Sequence, residues 1–504
     1  MPHVAHPRPL RLVPASVLPL GAVIILGACR CLSSDEPAAV AAVIPRAPIA
    51  AAGGGAGAGA GAPAYPRART ASTVGEVFCL NQITGIPKLY FDRGAFDEAT
   101  LTRLLEDDVR LAKALGVRFT RVNSGGYPFL NWQASQRDTT TQARADEVVR
   151  QIQGAGMDLV MMLSPWPGNN TGAFTEHYVP DDMPAYKAWV SSVVERWDGD
   201  GQGDMPGLLR PIRYWEVDNE PDMHNYMPPQ KGSKAKGAKA GGGAKAARAA
   251  AAENPFETPA EYAQVLVATA AAIRAAQPDA VVLNAAPFHT HNEIGRNYMA
   301  SVLAEPGAAE AVSALSAHIY YNDLSTEKFL AGLDNATALA GGRPIFITET
   351  SVPSAKEGKP WATPEYQARM VAFFYGESLA RGVERVCWHS LSDTPPEKAR
   401  GGFATNSLYA SEGDIWTVKR TLKPAGEVYQ RLLGLLGDVP LAEVRRVTVP
   451  GGRAVQVGSA GWLVYDGASV TLPFTSGTVL DLLTGQERAL SGPVAAPVLV
   501  RPKG

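Results

Sequence analysis

Trp215-Glu216-Val217-Asp218-Asn219-Glu220-Pro221-Asp222 is the stretch on which the reading of this chain turns. A run from Pro211 to Val217 reads as a buried strand, and it passes straight into a polar turn holding three carboxylates and an amide. In a barrel of parallel strands, residues at the carboxyl ends of strands point into the site, while those at the amino ends mainly hold the fold together. Glu220 is therefore the first candidate for chemistry.

Outward from that strand the chain alternates helix and strand. Upstream, Val77-Phe78-Cys79-Leu80 suits a strand buried on both faces, and Phe96, Leu101, Leu104, Leu105, Val109, Ala112 and Leu115 recur at helical spacing. That helix stops at Gly116, a good carboxyl-terminal cap, before strands at Val117 to Asn123 and Leu159 to Leu163. Downstream, Thr258-Pro259-Ala260-Glu261 is a capping box with proline at the first helical position. Further strands are expected at Ala280 to Asn284, Ala314 to Tyr320, Ile345 to Thr348 and Arg385 to Trp388, with a helix after Thr363-Pro364 and a last one from Lys423 to Leu436. Eight strands with intervening helices predict an α/β fold, a (β/α)8 TIM barrel over residues 74–436. A doubly wound open sheet is the competing reading, but no Gly-x-Gly-x-x-Gly follows the first strand. After Gly437 short alternating runs with glycine-rich turns predict a small antiparallel β-sandwich over 437–504.

Composition narrows the function. With 504 residues, 46% hydrophobic and 19% charged, the chain can bury a large core. The balance of 47 basic and 49 acidic side chains gives no overall field for nucleic acid, which is not expected as a partner. At the amino terminus His3, His6, Arg8 and Arg11 precede an apolar run from Leu12 to Leu26 that closes on Leu26-Gly27-Ala28-Cys29. This ending resembles a bacterial lipoprotein box. The resemblance implies a signal peptide over 1–28 and lipidation of Cys29, hence an exported protein meeting the membrane through a lipid anchor only. An ordinary signal peptide cleaved nearby is the alternative. Residues 29–73 are rich in Ala, Gly and Pro and read as a flexible tether.

Two further features bear on function. The insertion 230–252 carries Lys231, Lys234, Lys236, Lys239, Lys245 and Arg248 with no acidic residue, and reads as a disordered solvated loop rather than a guide for an anionic polymer. Cys31 lies beside the anchor; Cys79 and Cys387 fall on the first and last barrel strands, neighbours once the barrel closes. A disulfide is open to them in an oxidising compartment, but buried free thiols are the expectation because paired strands rarely offer the geometry.

The second candidate carboxylate is Glu349, in Pro344-Ile345-Phe346-Ile347-Thr348-Glu349-Thr350-Ser351, at the carboxyl end of the seventh strand. On a closed barrel it would share a cleft with Glu220, and two facing carboxyl groups are what glycosidic bond cleavage requires. A lone strand-end glutamate would read as readily as a structural ion pair; the two together read as a site.

Asn219-Glu220-Pro221 after the fourth strand and Thr348-Glu349 after the seventh resemble the signature of the clan A retaining glycoside hydrolases, and the carboxyl-terminal region is similar to that of family thirty-nine and its relatives. The resemblance implies Glu220 as general acid/base, Glu349 as nucleophile and Asn219 as a ligand of the sugar 2-hydroxyl. Arg121, in Arg118-Phe119-Thr120-Arg121-Val122-Asn123, resembles the arginine that keeps the nucleophile ionised. His318 and Tyr320, in Ala317-His318-Ile319-Tyr320, would bond the nucleophile and substrate. Trp388 matches the aromatic platform on which a sugar ring stacks, and Trp166, in Ser164-Pro165-Trp166, could add a further aromatic subsite. Asp218 and Asp222 flank the acid and either raise its pKa or serve as paired turn residues.

No cofactor and no metal are expected. Asp198-Gly199-Asp200-Gly201-Gln202-Gly203-Asp204 begins like a calcium loop, but Leu209 stands where the closing glutamate belongs. His289-Thr290-His291 has no third ligand nearby and reads as rim. The partner is a poly- or oligosaccharide, with a β-linkage expected. A carbohydrate-binding lipoprotein without turnover and a transglycosylase are the alternatives, and neither the sugar nor the oligomeric state follows from these motifs.

Overall fold

The computed structural model describes residues 71–91, 97–123, 127–128, 130–165, 178–222, 258–320, 326–396, 404–414 and 418–503. Cys29, Cys31, the signal segment, the tether up to residue 70, the insertion 230–252 and Trp166 lie outside the described residues.

Among the described residues, and with shorter helical turns between them, eight strands and eight long helices alternate along the chain, as the pattern predicts. They are β1 (Phe78–Asn81), α1 (Glu98–Ala114), β2 (Phe119–Val122), α2 (Thr141–Gly154), β3 (Asp158–Leu163), α3 (Met183–Glu195), β4 (Tyr214–Val217) and α4 (Pro259–Ala276). There follow β5 (Val281–Asn284), α5 (Glu293–Ala304), β6 (Leu315–His318), α6 (Glu327–Ala340), β7 (Ile345–Thr350), α7 (Pro364–Arg381), β8 (Arg385–His389) and α8 (Pro424–Leu436). The strands lie in the order β5-β4-β3-β2-β1-β8-β7-β6, and a parallel bridge from Leu283 to Ala314 joins the two ends. The result is a closed (β/α)8 barrel. Strand β4 begins three residues later than the apolar run suggests, since Pro211 has no N–H to give to a ladder. The capping box at α4 forms in full, with Thr258 accepting from the Glu261 N–H and Glu261 accepting from the Thr258 N–H.

The barrel interior is stacked in layers. At the amino-terminal end the Arg385 guanidinium lies 4.6 Å from the Phe119 ring centre and 5.7 Å from those of Tyr214 and Phe346. Above it Cys79 and Cys387 pack with Val160, Leu283 and Ala314. The expectation of free thiols is corrected here: the two cysteines form a disulfide, with Cα atoms 4.1 Å apart. They stand directly opposite each other in the β1–β8 pairing. Both side chains point into a closed cylinder, where inward-pointing neighbours converge. The next layer, Arg121, Glu216, Ser316 and Thr348, is polar and buried.

After α8 comes the small β-sandwich, whose six antiparallel strands are β11 (Val444–Val449), β12 (Gly452–Val457), β13 (Gly461–Asp466), β14 (Gly477–Asp481), β15 (Glu487–Ala489) and β16 (Val498–Pro502). A hairpin of β9 (Tyr409–Glu412) and β10 (Lys419–Leu422) precedes α8. Residue alternation divides the six-stranded sheet between two cores. Val455, Val457, Leu463, Tyr465 and Leu499 join the barrel's core, whereas Ala454, Val464, Val498 and Val500 form a separate one. The short alternating run Val470-Thr471-Leu472 makes only a bridge, from Val470 to Val494, and β15, which is exposed along its length, carries no apolar signal.

The chain enters this fold at the amino-terminal end of the barrel. The Ala71 N–H donates to Glu384, just before β8, Val74 N donates to Val439 O at 2.9 Å and Gly75 N to Gly437 O at 2.8 Å.

Candidate active site

The site stands at the carboxyl ends of the strands, directly above the polar layer. Its base is a fully buried ion pair between Arg121 on β2 and Glu216 on β4, donated through the guanidinium Nε. Glu216 also accepts from Ser316 Oγ at 2.7 Å and from Thr348 Oγ1 at 3.1 Å, so both its oxygens are engaged. Held in this way, Arg121 presents Nη1 to Glu349 Oε1 at 2.7 Å and Nη2 to Asn219 Oδ1 at 2.8 Å. Glu216 escaped the sequence reading although it lies in the first stretch quoted. The available signal was a charged residue inside an otherwise apolar strand, which must have a buried partner.

Glu349 faces the interior because β7 is irregular. Thr348 already points inward to Glu216, and strict alternation would turn Glu349 outward. The pairing shifts register between Ala317 and His318 against β6, and between Ile347 and Thr350 against β8, which aims Glu349 into the barrel as well. Its second oxygen accepts from Tyr320 Oη at 2.7 Å.

Glu220 reaches the same space from a tight turn. Asp218 and Glu220 both have left-handed backbones, with φ of 69° and 48°, a region that residues with a Cβ rarely adopt. The turn is fastened by Asp218 N to Leu163 O at 2.8 Å, by Ser164 Oγ to Asp218 Oδ1 at 2.9 Å, by Tyr178 Oη to Asp218 Oδ2 and by Glu220 N to Ala286 O at 3.2 Å. Asp222, fully buried, accepts from the backbone N–H groups of Phe288 and His289 and pairs with His289 Nδ1 at 3.1 Å. Strain held by this many contacts is of the kind that clusters at functional sites.

Two expected roles change. His318 Nδ1 lies 2.7 Å from Glu220 Oε1, so its hydrogen bond goes to the candidate acid; Nε2 lies 3.8 Å from Glu349 Oε1 and makes no hydrogen bond. Tyr320, not His318, bonds Glu349. Trp388 is no platform either. It is wholly buried on the outer side of β8, packed near Phe374 with Nε1 donating to Asn406 O at 2.9 Å. The inward residues of β8 are Arg385, Cys387 and then His389, so His389 takes the place at the mouth.

The two carboxylates are driven apart in protonation. Burial pushes Glu220 well above 4.5, and the negative charges of Glu349 and Asp222 push the same way. Burial works on Glu349 too, but neighbouring positive charge and the Tyr320 hydroxyl overcome it and hold its value at about 2. Burial also lowers His318 to about 3, so at neutral pH it is uncharged and Arg121 is the standing positive charge beside Glu349. A carboxylate oxygen of Glu220, one of Glu349 and a His318 nitrogen all lie within 4.8 Å of one another. A divalent cation could span that distance, but the His318–Glu220 hydrogen bond and the Arg121 charge both oppose it. The oxygens of Asp198, Asp200 and Asp204 gather as closely, yet they accept N–H groups of their own turn, from Gly199, Asp200, Gly201 and Gln202.

No protein-family model and no curated protein matches the sequence. Among solved structures, a family 39 glycoside hydrolase from the gut symbiont Bacteroides cellulosilyticus WH2 superposes with TM-score 0.51 at 12% identity, over 86% of this chain and 81% of that one. A family 51 alpha-L-arabinofuranosidase from Bifidobacterium longum gives 0.48 at 13% identity over 86% and 95%, and a monomeric beta-xylosidase from Caulobacter crescentus CB15 gives 0.46 at 16% over 80% and 74%. The latter two scores carry no weight of their own. In fold, the chain is similar to the clan A glycoside hydrolases, the same group its two glutamate motifs resemble.

Proposed function

We propose that the protein is a retaining glycoside hydrolase that cleaves a β-linked O-glycosidic bond of an oligo- or polysaccharide by double displacement. The observation that carries this reading is the pair Glu220 and Glu349, with oxygens within 4.8 Å and pKa values driven in opposite directions by their surroundings. Retaining enzymes place their carboxyl groups about 5–5.5 Å apart, whereas inverting ones leave about 6.5–9.5 Å for a water. Ionised Glu349 attacks the anomeric carbon and forms a glycosyl ester while protonated Glu220 gives its proton to the departing oxygen. Glu220, now a carboxylate, takes a proton from water, whose oxygen attacks the same carbon and frees Glu349. Asn219, whose side-chain oxygen accepts from Arg121, would bond the sugar 2-hydroxyl.

The test is a screen of wild type and Glu349→Gln on β-glycans and 4-nitrophenyl β-glycosides, with the anomer first released followed by NMR. Release of the retained anomer by wild type alone supports the reading. An inverted anomer would remove Glu349 as nucleophile, binding without release would leave a sugar-binding protein, and transfer to added sugar in preference to water would make it a transglycosylase.

The protein is also proposed to be exported and anchored through a lipid on Cys29. The buried Cys79–Cys387 disulfide supports export, since such bonds persist in oxidising compartments. Labelling with a fatty-acid analogue, lost on Cys29→Ser, is the check.

A further inference from the structure

The aromatic platform expected on β8 is absent from that strand's inward face, and what stands there is a histidine whose proton can be placed. His389 lies opposite Asn81 in the β1–β8 pairing, two residues beyond the inward-facing Cys387. Asn81 Oδ1 accepts from Arg121 Nη1 at 3.3 Å, and a guanidinium can only donate, so the oxygen end of the amide faces Arg121. The NH2 end therefore faces His389 Nδ1, at 3.0 Å. Because that amide nitrogen only donates, Nδ1 must accept with its lone pair. The single proton of the neutral ring then sits on Nε2. Burial lowers the pKa of His389 against the pull of Glu349, and Arg121 lowers it further, so the ring is neutral at pH 7. The Tyr320 ring, whose hydroxyl holds Glu349, stands perpendicular to His389 with centres 6.3 Å apart, so the imidazole belongs to the same wall as the candidate nucleophile.

We propose that His389 contacts the substrate, offering Nε2–H to a hydroxyl of the sugar held against Glu349, and that this site selects its sugar by a directed hydrogen bond where a stacking ring was expected. The proposal rests on the glycosidase reading for the presence of a sugar there. Its own content is the donor, its tautomer and the demand it makes on the substrate: an acceptor hydroxyl at one ring position. Arg121 thereby acts twice, once directly on Glu349 and once through Asn81 on the ring that meets the sugar.

The test uses 4-nitrophenyl β-D-glycopyranosides of the gluco, galacto, manno and xylo series, with the monodeoxy analogues of whichever is hydrolysed best. His389→Ala is expected to lower kcat/KM on the parent glycoside about ten- to a hundredfold, the loss of one hydrogen bond to a buried site. On one monodeoxy analogue, already slow with wild type, the same variant should cause no further loss. His389→Gln, which keeps an N–H donor, should recover part of the rate, and His389→Phe none. Equal losses on every analogue would mean a merely structural role, and full activity in His389→Phe would mean stacking; either overturns the proposal. If wild type hydrolyses none of these glycosides, the glycosidase reading fails separately. The contact is then judged by calorimetric titration of the same sugars into wild type and His389→Ala, and equal affinities, or no binding to either, overturn it.

Discussion

Arg121 and Glu216 form an ion pair from which water is wholly excluded, each side chain being 0% exposed. Such a pair adds little stability over a well-packed apolar one, but removing a single partner strands the other charge. Glu216→Ala is therefore expected to cost about 3 kcal/mol or more, read as a shift in the urea unfolding midpoint. Glu216→Gln, which keeps one acceptor oxygen for Arg121 and turns its NH2 toward the Ser316 and Thr348 hydroxyls, should cost less. If both variants unfold like wild type, Glu216 does not hold the arginine.

The carboxylate values set a pH dependence with a definite sign. Activity needs Glu349 ionised and Glu220 protonated, so kcat/KM should fall on the alkaline side as Glu220 ionises, well above 4.5, and on the acid side only toward about pH 2. Stability follows the same groups. The folded value of Glu349 lies below its ordinary 4.5, so its contribution is complete above that pH and is lost as pH falls toward about 2. Glu220 is raised, so its contribution is present below 4.5 and is lost as pH rises through its folded value. An alkaline limb centred at 4.5 would contradict the assignment of Glu220 as the acid.

Glu220→Gln should lower kcat/KM by about 10²- to 10⁴-fold on oligosaccharides, whose leaving oxygen needs a proton. On 2,4-dinitrophenyl glycosides, whose leaving group departs unprotonated, formation of the glycosyl-enzyme should be far less affected. Equal losses on both substrates, measured in the pre-steady state, would argue that Glu220 serves geometry rather than proton transfer.

The Cys79–Cys387 disulfide closes the barrel between its first and last strands across 308 residues of sequence. Replacing both cysteines by serine is expected to cost about 2–5 kcal/mol, measured by denaturant unfolding with and without reductant. Wild type in reductant should approach the double variant; coincident curves under all conditions would show that the bond is not formed.

Gly376 on α7 meets the Tyr465 ring of the sandwich, and a Cβ built there would come within 2.4 Å of it. The Tyr465 hydroxyl reaches Glu377 Oε2 at 2.8 Å, so this ring is a dowel between the two domains. Gly376→Ala should cost about 1–3 kcal/mol and loosen the sandwich from the barrel, visible as accelerated amide exchange in β12 and β13.

Much of this was legible in the sequence, for reasons that can be named. Glu220 and Glu349 are legible as candidates because strand ends in a barrel are easy to count, and Arg121 because its place on the second strand resembles that of the arginine beside a retaining nucleophile. Trp388 was misread because neighbouring residues on a strand face opposite sides, so a one-place error moves a side chain from the cleft to the helical layer. Glu349 itself faces inward only through register shifts that no periodicity reveals. The disulfide was missed because parallel neighbours in a flat sheet do not converge, whereas those lining a narrow cylinder do. His318 found a different partner because the sequence places residues on strands but does not say which of two carboxylates an imidazole will turn toward.

The stitches at Ala71, Val74 and Gly75 fasten the start of the fold to the floor of the barrel, while Glu220 and Glu349 open at its roof. A lipid on Cys29 would thus moor the molecule by its underside. A flexible tether over 29–73, as its composition reads, would leave the cleft free to turn toward glycans in any direction around that mooring.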